Sequence, residues 1–195
     1  MSSRLILASA SPRRSELLAR AGIRFDVVPS DVDETVQPDE PPTSYVARVA
    51  RAKADAVRAA WPHAWVLAAD TSVVAGGAIL GKAADAAEAA GMLRDLSGRG
   101  HSVLTATCLV GPDGQRAELV TETEVDFRAL SEREIASYVA GDEWRGKAGA
   151  YAAQGQAAAF IVAIRGSFTN VIGLPLAETL GALEAFGVAR PEYAP

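Results

Sequence analysis

Apolar and polar positions along this chain change period several times, and the changes mark short strands alternating with helices. Arg4 to Ala8 is a compact apolar run that reads as a first strand, and Ser11-Pro12 opens a helix. Ser11 is placed as its N-cap, Pro12 sits where a missing N–H costs nothing, and Gly22 terminates it. Phe25 to Pro29 has the character of a second strand, and residues 31–42 form an acidic, proline-containing loop. From Ser44 the spacing of Tyr45, Val46, Val49, Ala50 and Val57 predicts a helix to about Ala60. Trp65 to Val74 reads as a buried strand leading into a Gly76-Gly77 turn. Asp85 with Glu88 predicts a capped helix closing at Gly98, and Ser131 with Glu134 a second one stopping near Gly141. Between these helices, His101–Val110 and Ala117–Leu130 flank Gly111-Pro112-Asp113-Gly114 as a long β-hairpin. Ala157–Ile164 is assigned as a strand, and Leu176–Phe186 as a final helix ended by Gly187. The alternation predicts an α/β or α+β fold.

At 195 residues the chain has the size of one domain, residues 1–195, and its apolar content suffices for a sizeable core. No apolar run reaches the roughly 20 residues of a membrane span, and the N-terminal run is too short for a signal-peptide core. The single cysteine, Cys108, rules out an internal disulfide and fits a reducing, cytoplasmic compartment. With two histidines and one cysteine, a tetrahedral Cys/His zinc site is closed, so any metal would be a hard cation such as Mg²⁺ or Mn²⁺ on carboxylates. The net charge of −5 argues against generic nucleic-acid binding. Yet residues 1–25 carry Arg4, Arg13, Arg14, Arg20 and Arg24 against Glu16 alone, a concentration of cations suited to a small anion.

Candidate chemistry is concentrated in a few segments. In Leu5–Arg14 a strand passes through Ser9 and Ser11 directly into a helix start, where free N–H groups favour an anion and Arg13 and Arg14 add planar donors for phosphate oxygens. A capped surface helix with two solvated arginines explains the same residues equally well. Asp70, ending the apolar run Val66-Leu67-Ala68-Ala69, needs compensation for burial, which metal binding or general-base work would provide; a turn cap through Thr71 or Ser72 is the structural alternative. Gly76, Gly81 and Lys82 have P-loop spacing, but Ala83 replaces the Mg²⁺-binding hydroxyl, so that motif is rejected. Lys82 could return to the Asp70 cleft or lie exposed in its turn. Lys53 reads as part of a solvated basic helix face, and Glu34 as one carboxylate of a hydrated loop. The small-residue segment from Gly146 to Gly155 around Gln154 suits close approach of a ligand or of backbone, or else a connector. His63, His101, Cys108 and the three tryptophans read as structural residues.

Taken in order, SASPRR at 9–14, DVDE at 31–34, ARAKA at 50–54, AADT at 68–71 and GK at 81–82 resemble the Maf family of nucleotide pyrophosphatases. LSGRGHSVLTA at 96–106, KAGAYAAQG at 147–155 and SFTNVIGLP at 167–175 continue the likeness over nearly the whole chain. The resemblance implies an α/β fold with a long twisted mixed sheet and two lobes around a cleft, similar to inosine triphosphate pyrophosphatases. It implies cleavage between the α and β phosphates of a nucleoside triphosphate by a divalent-metal-dependent homodimer. Asp70 would be the proton acceptor, with Lys82 and Glu34 completing the catalytic set and Glu34 and Asp70 nearest the metal. Arg13, Arg14 and Lys53 would hold the triphosphate, helped by Ser9 and Ser11. Arg13, Thr71 and Gln154 resemble the branch acting on dTTP and UTP, rather than the branch acting on 7-methyl-GTP; a non-catalytic nucleotide-binding regulator of septum formation is the other alternative. Ala10, the polar Ser72 and the run Gln156–Ala159 depart from the family's usual pattern.

Overall fold

The computed structural model describes residues 4–192. In chain order these form β1 (Leu5–Leu7), α1 (Pro12–Arg20), β2 (Asp26–Val27), α2 (Pro42–Ala60), β3 (Trp65–Ala75), β4 (Ala78–Leu80) and α3 (Ala86–Leu96). There follow β5 (Gly100–Val110), β6 (Arg116–Phe127), α4 (Glu132–Ala140), a 3₁₀ turn (Gln156–Phe160), β7 (Ile161–Arg165), α5 (Phe168–Ile172) and α6 (Leu176–Ala185). One mixed seven-stranded sheet has the order β2-β1-β3-β5-β6-β7, with β4 added to β3. The pairs β1–β2 and β1–β3 are parallel, and the remaining pairs are antiparallel. This is the mixed sheet flanked by helices that the resemblance implies, and it is open.

Turn chemistry sets the register. Gly76 and Gly77 both have positive φ, 56° and 83°, as a two-residue hairpin turn requires, and pair β4 back on the end of β3. The Ser131–Glu134 capping box forms at the start of α4. At α3 only half of a box forms: Asp85 accepts from the Glu88 N–H, while the Glu88 carboxylate takes the Ala84 N–H instead. Gly22, at φ 72°, ends α1.

Some assignments need correction. The second strand is only Asp26–Val27, and Gln156–Phe160 is a 3₁₀ turn, so the late strand begins at Ile161. A run of three alanines carries no periodicity that separates a tight helical turn from a strand. Helix α5 has no counterpart among the elements the sequence predicts; Ser167 caps it by accepting from the Asn170 N–H, and Asn170 is fully buried with its amide donating to Val103 O, Thr121 O and Thr123 Oγ1. Ser11 occupies the N-cap position of α1, but its hydroxyl makes no capping bond.

The apolar core divides along the strands. Even-numbered residues at the start of β3 (Val66, Ala68) pack beneath α2, and odd ones (Trp65, Leu67, Ala69) pack against α1 and α6. Val73, near the far end of β3, belongs instead to a second core with α3, α4 and the 3₁₀ turn. Asp70–Ser72 therefore lies at the waist between two lobes.

Candidate active site

The waist is open for a reason visible in the register. On one side β5 pairs with β3 without interruption from Val66 to Val74. On the other side β1 covers β3 only to Leu67, with one more bond from the Ala8 N–H to Leu67 O, and β4 begins at Val73. Residues Ala69 to Ser72 face the resulting gap. A cleft of about 780 Å³ fills it, and its lining includes all ten residues singled out above: Ser9, Ser11, Arg13, Arg14, Glu34, Lys53, Asp70, Thr71, Lys82 and Gln154.

Lys53 is 7 % exposed and Asp70 6 % exposed, and both are central to the site. The Lys53 ammonium donates to Asp70 Oδ1 at 2.8 Å and lies 2.7 Å from Glu34 Oε1. Lys82 Nζ approaches Glu34 Oε2 at 3.5 Å from the opposite, exposed side. Lys53 does not belong to a solvated face. Val46, Val49, Ala50, Ala54 and Val57 are its neighbours on the buried stripe of α2, so their spacing already placed it inward. Burial raises the Asp70 carboxyl above its ordinary range, against the charge and hydrogen bond of Lys53 and the charge of Arg14. Burial also acts upward on Glu34, but the hydrogen bond and charge of Lys53 and the charge of Lys82 outweigh it and hold Glu34 below its ordinary value. Asp70 Oδ2 has no hydrogen-bond partner among the described residues and is left facing the cleft.

The two arginines differ. Arg14, 8 % exposed, is spent largely on structure: Nε donates to Gly173 O at 2.8 Å, Nη1 to Ser9 Oγ at 3.1 Å and Nη2 to Thr71 Oγ1 at 3.0 Å. Thr71 in turn pairs with Thr105 Oγ1 at 2.9 Å, and Ser9 Oγ also accepts the Ser11 N–H. Arg13 is half-buried and, among the described residues, anchored only through Nε to Ile172 O at 3.2 Å, so both terminal nitrogens stay open to the cleft. No carboxylate pairs with Arg13 among the described residues; burial lowers its pKa, opposed by Glu16. Gln154 is exposed at the rim.

Arg145 and Lys147 also line the cleft and were not singled out by sequence reasoning. The signal lies at the start of the Gly146–Gly155 segment, where Lys147 stands inside it and Arg145 directly precedes it. The segment's small residues do permit close approach of backbone: Gly149, at φ 65°, packs on Val73, with a would-be Cβ 2.9 Å from the Val73 side chain. Counting all lining side chains, six cations face two carboxylates, an excess of four positive charges in a chain of net −5. Such a surface attracts a polyanion.

Among the described residues no group of three or more His, Cys, Asp or Glu side chains is placed to hold a metal. Glu34 and Asp70 nevertheless suit Mg²⁺ or Mn²⁺, since a hard cation at a phosphate site commonly takes one or two carboxylates and completes its shell with water and phosphate oxygens. No described helix is long and apolar enough to cross a membrane.

A HAM1 protein from Coxiella burnetii shares the fold, with a TM-score of 0.51 over 94 % of this chain and 99 % of that one at 16 % identity. The dTTP/UTP pyrophosphatase of Rhodospirillum rubrum is 54 % identical over 94 % of this chain and 88 % of its own. That of Anaeromyxobacter dehalogenans strain 2CP-1 is 52 % identical over 98 % of both chains. Residues 4–186 match the family described as Maf-like protein, and the chain belongs to that family.

Proposed function

We propose that this chain hydrolyses dTTP and UTP to the nucleoside monophosphate and pyrophosphate, as a cytoplasmic homodimer that uses Mg²⁺ or Mn²⁺. The observation that carries the reading is the cleft at the waist of the sheet, where an excess of four positive charges surrounds one buried carboxylate with an oxygen free. Relatives above 50 % identity that bear the name dTTP/UTP pyrophosphatase support the substrate class.

Phosphoryl transfer requires placement and charge neutralisation more than covalent help. In this reading the open nitrogens of Arg13, with Lys82 and Lys147, neutralise the β and γ phosphates of the leaving pyrophosphate. Asp70 Oδ2 accepts a proton from the water that attacks the α-phosphorus, as the bond from that phosphorus to the bridging oxygen breaks. Burial favours proton uptake by Asp70, and in the free protein the charge and hydrogen bond of Lys53 act against that burial. Glu34 and Asp70 would hold the divalent cation, which supplies further neutralisation of the phosphate charge when bound. Arg14 holds Ser9, Thr71 and Gly173 in place around the substrate. Gln154, whose amide both donates and accepts, is suited to a uracil or thymine edge.

The test is a product analysis with a panel of dTTP, UTP, 7-methyl-GTP and the common nucleotides, each with Mg²⁺ or Mn²⁺. Monophosphate and pyrophosphate from dTTP and UTP are expected. Diphosphate and orthophosphate would overturn the bond assignment, preference for 7-methyl-GTP would overturn the substrate, and binding without turnover would favour a regulator.

A further inference from the structure

The two carboxylates suited to a divalent cation already share a cation of the chain's own. Lys53 Nζ lies 2.7 Å from Glu34 Oε1 and 2.8 Å from Asp70 Oδ1, within hydrogen-bond reach of both. It comes from the core-facing stripe of α2, which also carries the buried Val46, Val49, Ala50 and Val57. Water has little access, since the side chains of Lys53 and Asp70 are both only 9 % exposed. A Mg²⁺ ion bound to those same oxygens would need them at about 2.0–2.1 Å. The ammonium cannot keep both bonds while a divalent ion takes its place between the oxygens. Two cations a few ångströms apart in a partly desolvated site repel strongly.

We propose that Lys53 is a placeholder for the divalent cation, so that metal entry and nucleotide entry are coupled; this rests on the metal-dependent reading of the site above. In the free protein the ammonium bridges Glu34 and Asp70 and keeps the metal out. When the triphosphate arrives, its phosphate oxygens offer the ammonium another partner, and the two carboxylates are released to the metal. The lysine thereby changes partners within the cleft, from carboxylate to phosphate. Lys82, at 3.5 Å from Glu34 and largely exposed, has neither the contact with Asp70 nor the burial to play this part. Linkage makes the effect reciprocal: nucleotide strengthens metal binding by the factor with which metal strengthens nucleotide binding.

The measurement is Mn²⁺ binding followed by electron paramagnetic resonance, on the wild-type chain, Lys53→Met and Lys53→Arg, each with and without dUTP carrying an imido link between its α and β phosphates. Without nucleotide, Lys53→Met is expected to bind Mn²⁺ at least about tenfold more tightly than wild type, because the competing charge is gone. Lys53→Arg keeps the charge and should stay as weak as wild type. With the analogue present, wild type should gain at least about tenfold in Mn²⁺ affinity, and Lys53→Met should gain less. Circular dichroism and a thermal melt establish that each variant is folded; if Lys53→Met is not, Lys53→Gln carries the same comparison. Equal Mn²⁺ affinities of wild type and the uncharged variant without nucleotide, in a protein that takes up Mn²⁺ when the analogue is present, would overturn the placeholder and leave the metal reading standing. No Mn²⁺ uptake by any form under either condition would overturn both.

Discussion

Asp70 and Arg14 show how two buried charged residues of the same cleft can have different duties. Asp70 is held by one bond to Lys53 and presents its other oxygen to the cleft, at some cost from burial. Asp70→Asn removes the charge without changing shape. It should lower kcat by about 10²–10⁴-fold in a product assay, while the thermal midpoint stays equal or rises. A midpoint lowered by several degrees with activity retained would make Asp70 a structural residue. Arg14 is anchored by three bonds to three separate segments, so its removal leaves Ser9 Oγ, Thr71 Oγ1 and Gly173 O each short of a donor. Arg14→Ala should lower stability by about 2–4 kcal/mol in urea unfolding. Lysine at that position has no planar fork and should recover little of the loss.

At the scale of elements, the site is made by where strands stop. Strand β1 ends and β4 begins on the same side of β3, and the unpaired interval exposes Asp70 and Thr71 on opposite faces of one strand to a single opening. The Gly146–Gly155 segment closes that opening from the other lobe, and Gly149 seats it against Val73 in a conformation that side chains rarely adopt. Gly149→Ala should therefore destabilise the protein by about 2–4 kcal/mol, combining positive φ with overpacking. Adding Val73→Ala should recover only the steric part, because the backbone strain persists. Urea midpoints of the single and double variants check both statements.

For the whole molecule, two cores on either side of the waist let one chain present opposed walls to a small polyanion. The second core contains a titratable group with consequences for the fold as a unit. His101 is buried against Phe127 and Tyr151, its Nε2 is 2.9 Å from the Tyr151 hydroxyl, and Nδ1 has no partner among the described residues. Burial pushes its pKa down to about 4, against the charge of Asp126. An unfolded chain protonates this ring near pH 6.5. Between those values the unfolded state binds the extra proton, so stability is full above about pH 6.5 and is lost as pH falls toward 4. The loss attributable to His101 between pH 7.5 and 5 is about 2 kcal/mol, from roughly 1.4 kcal/mol per pKa unit. His101→Phe should flatten the urea midpoint over that interval relative to wild type.

Much of this protein is legible in the order of its residues. Glycines with positive φ, the Ser131–Glu134 box and the alternation along Trp65–Val74 are local signals, and local chemistry is enough to produce the elements they predict. Ordered motifs likewise named the side chains that line the cleft, because a polyphosphate site draws on few residue types. What the chain could not reveal alone depends on partners distant in sequence. The spacing of apolar residues on α2 turns Lys53 inward, but its partners Asp70 and Glu34 are fixed only when β3 and the loop of Glu34 are packed against that helix. Arg14 looks like a twin of Arg13 until Gly173, far along the chain, takes up its Nε–H. The 3₁₀ turn and α5 are set by buried contacts of Ala157, Phe160 and Asn170 rather than by propensity. Long-range packing decides such cases, since burial and hydrogen-bond satisfaction outweigh the small preferences of short segments.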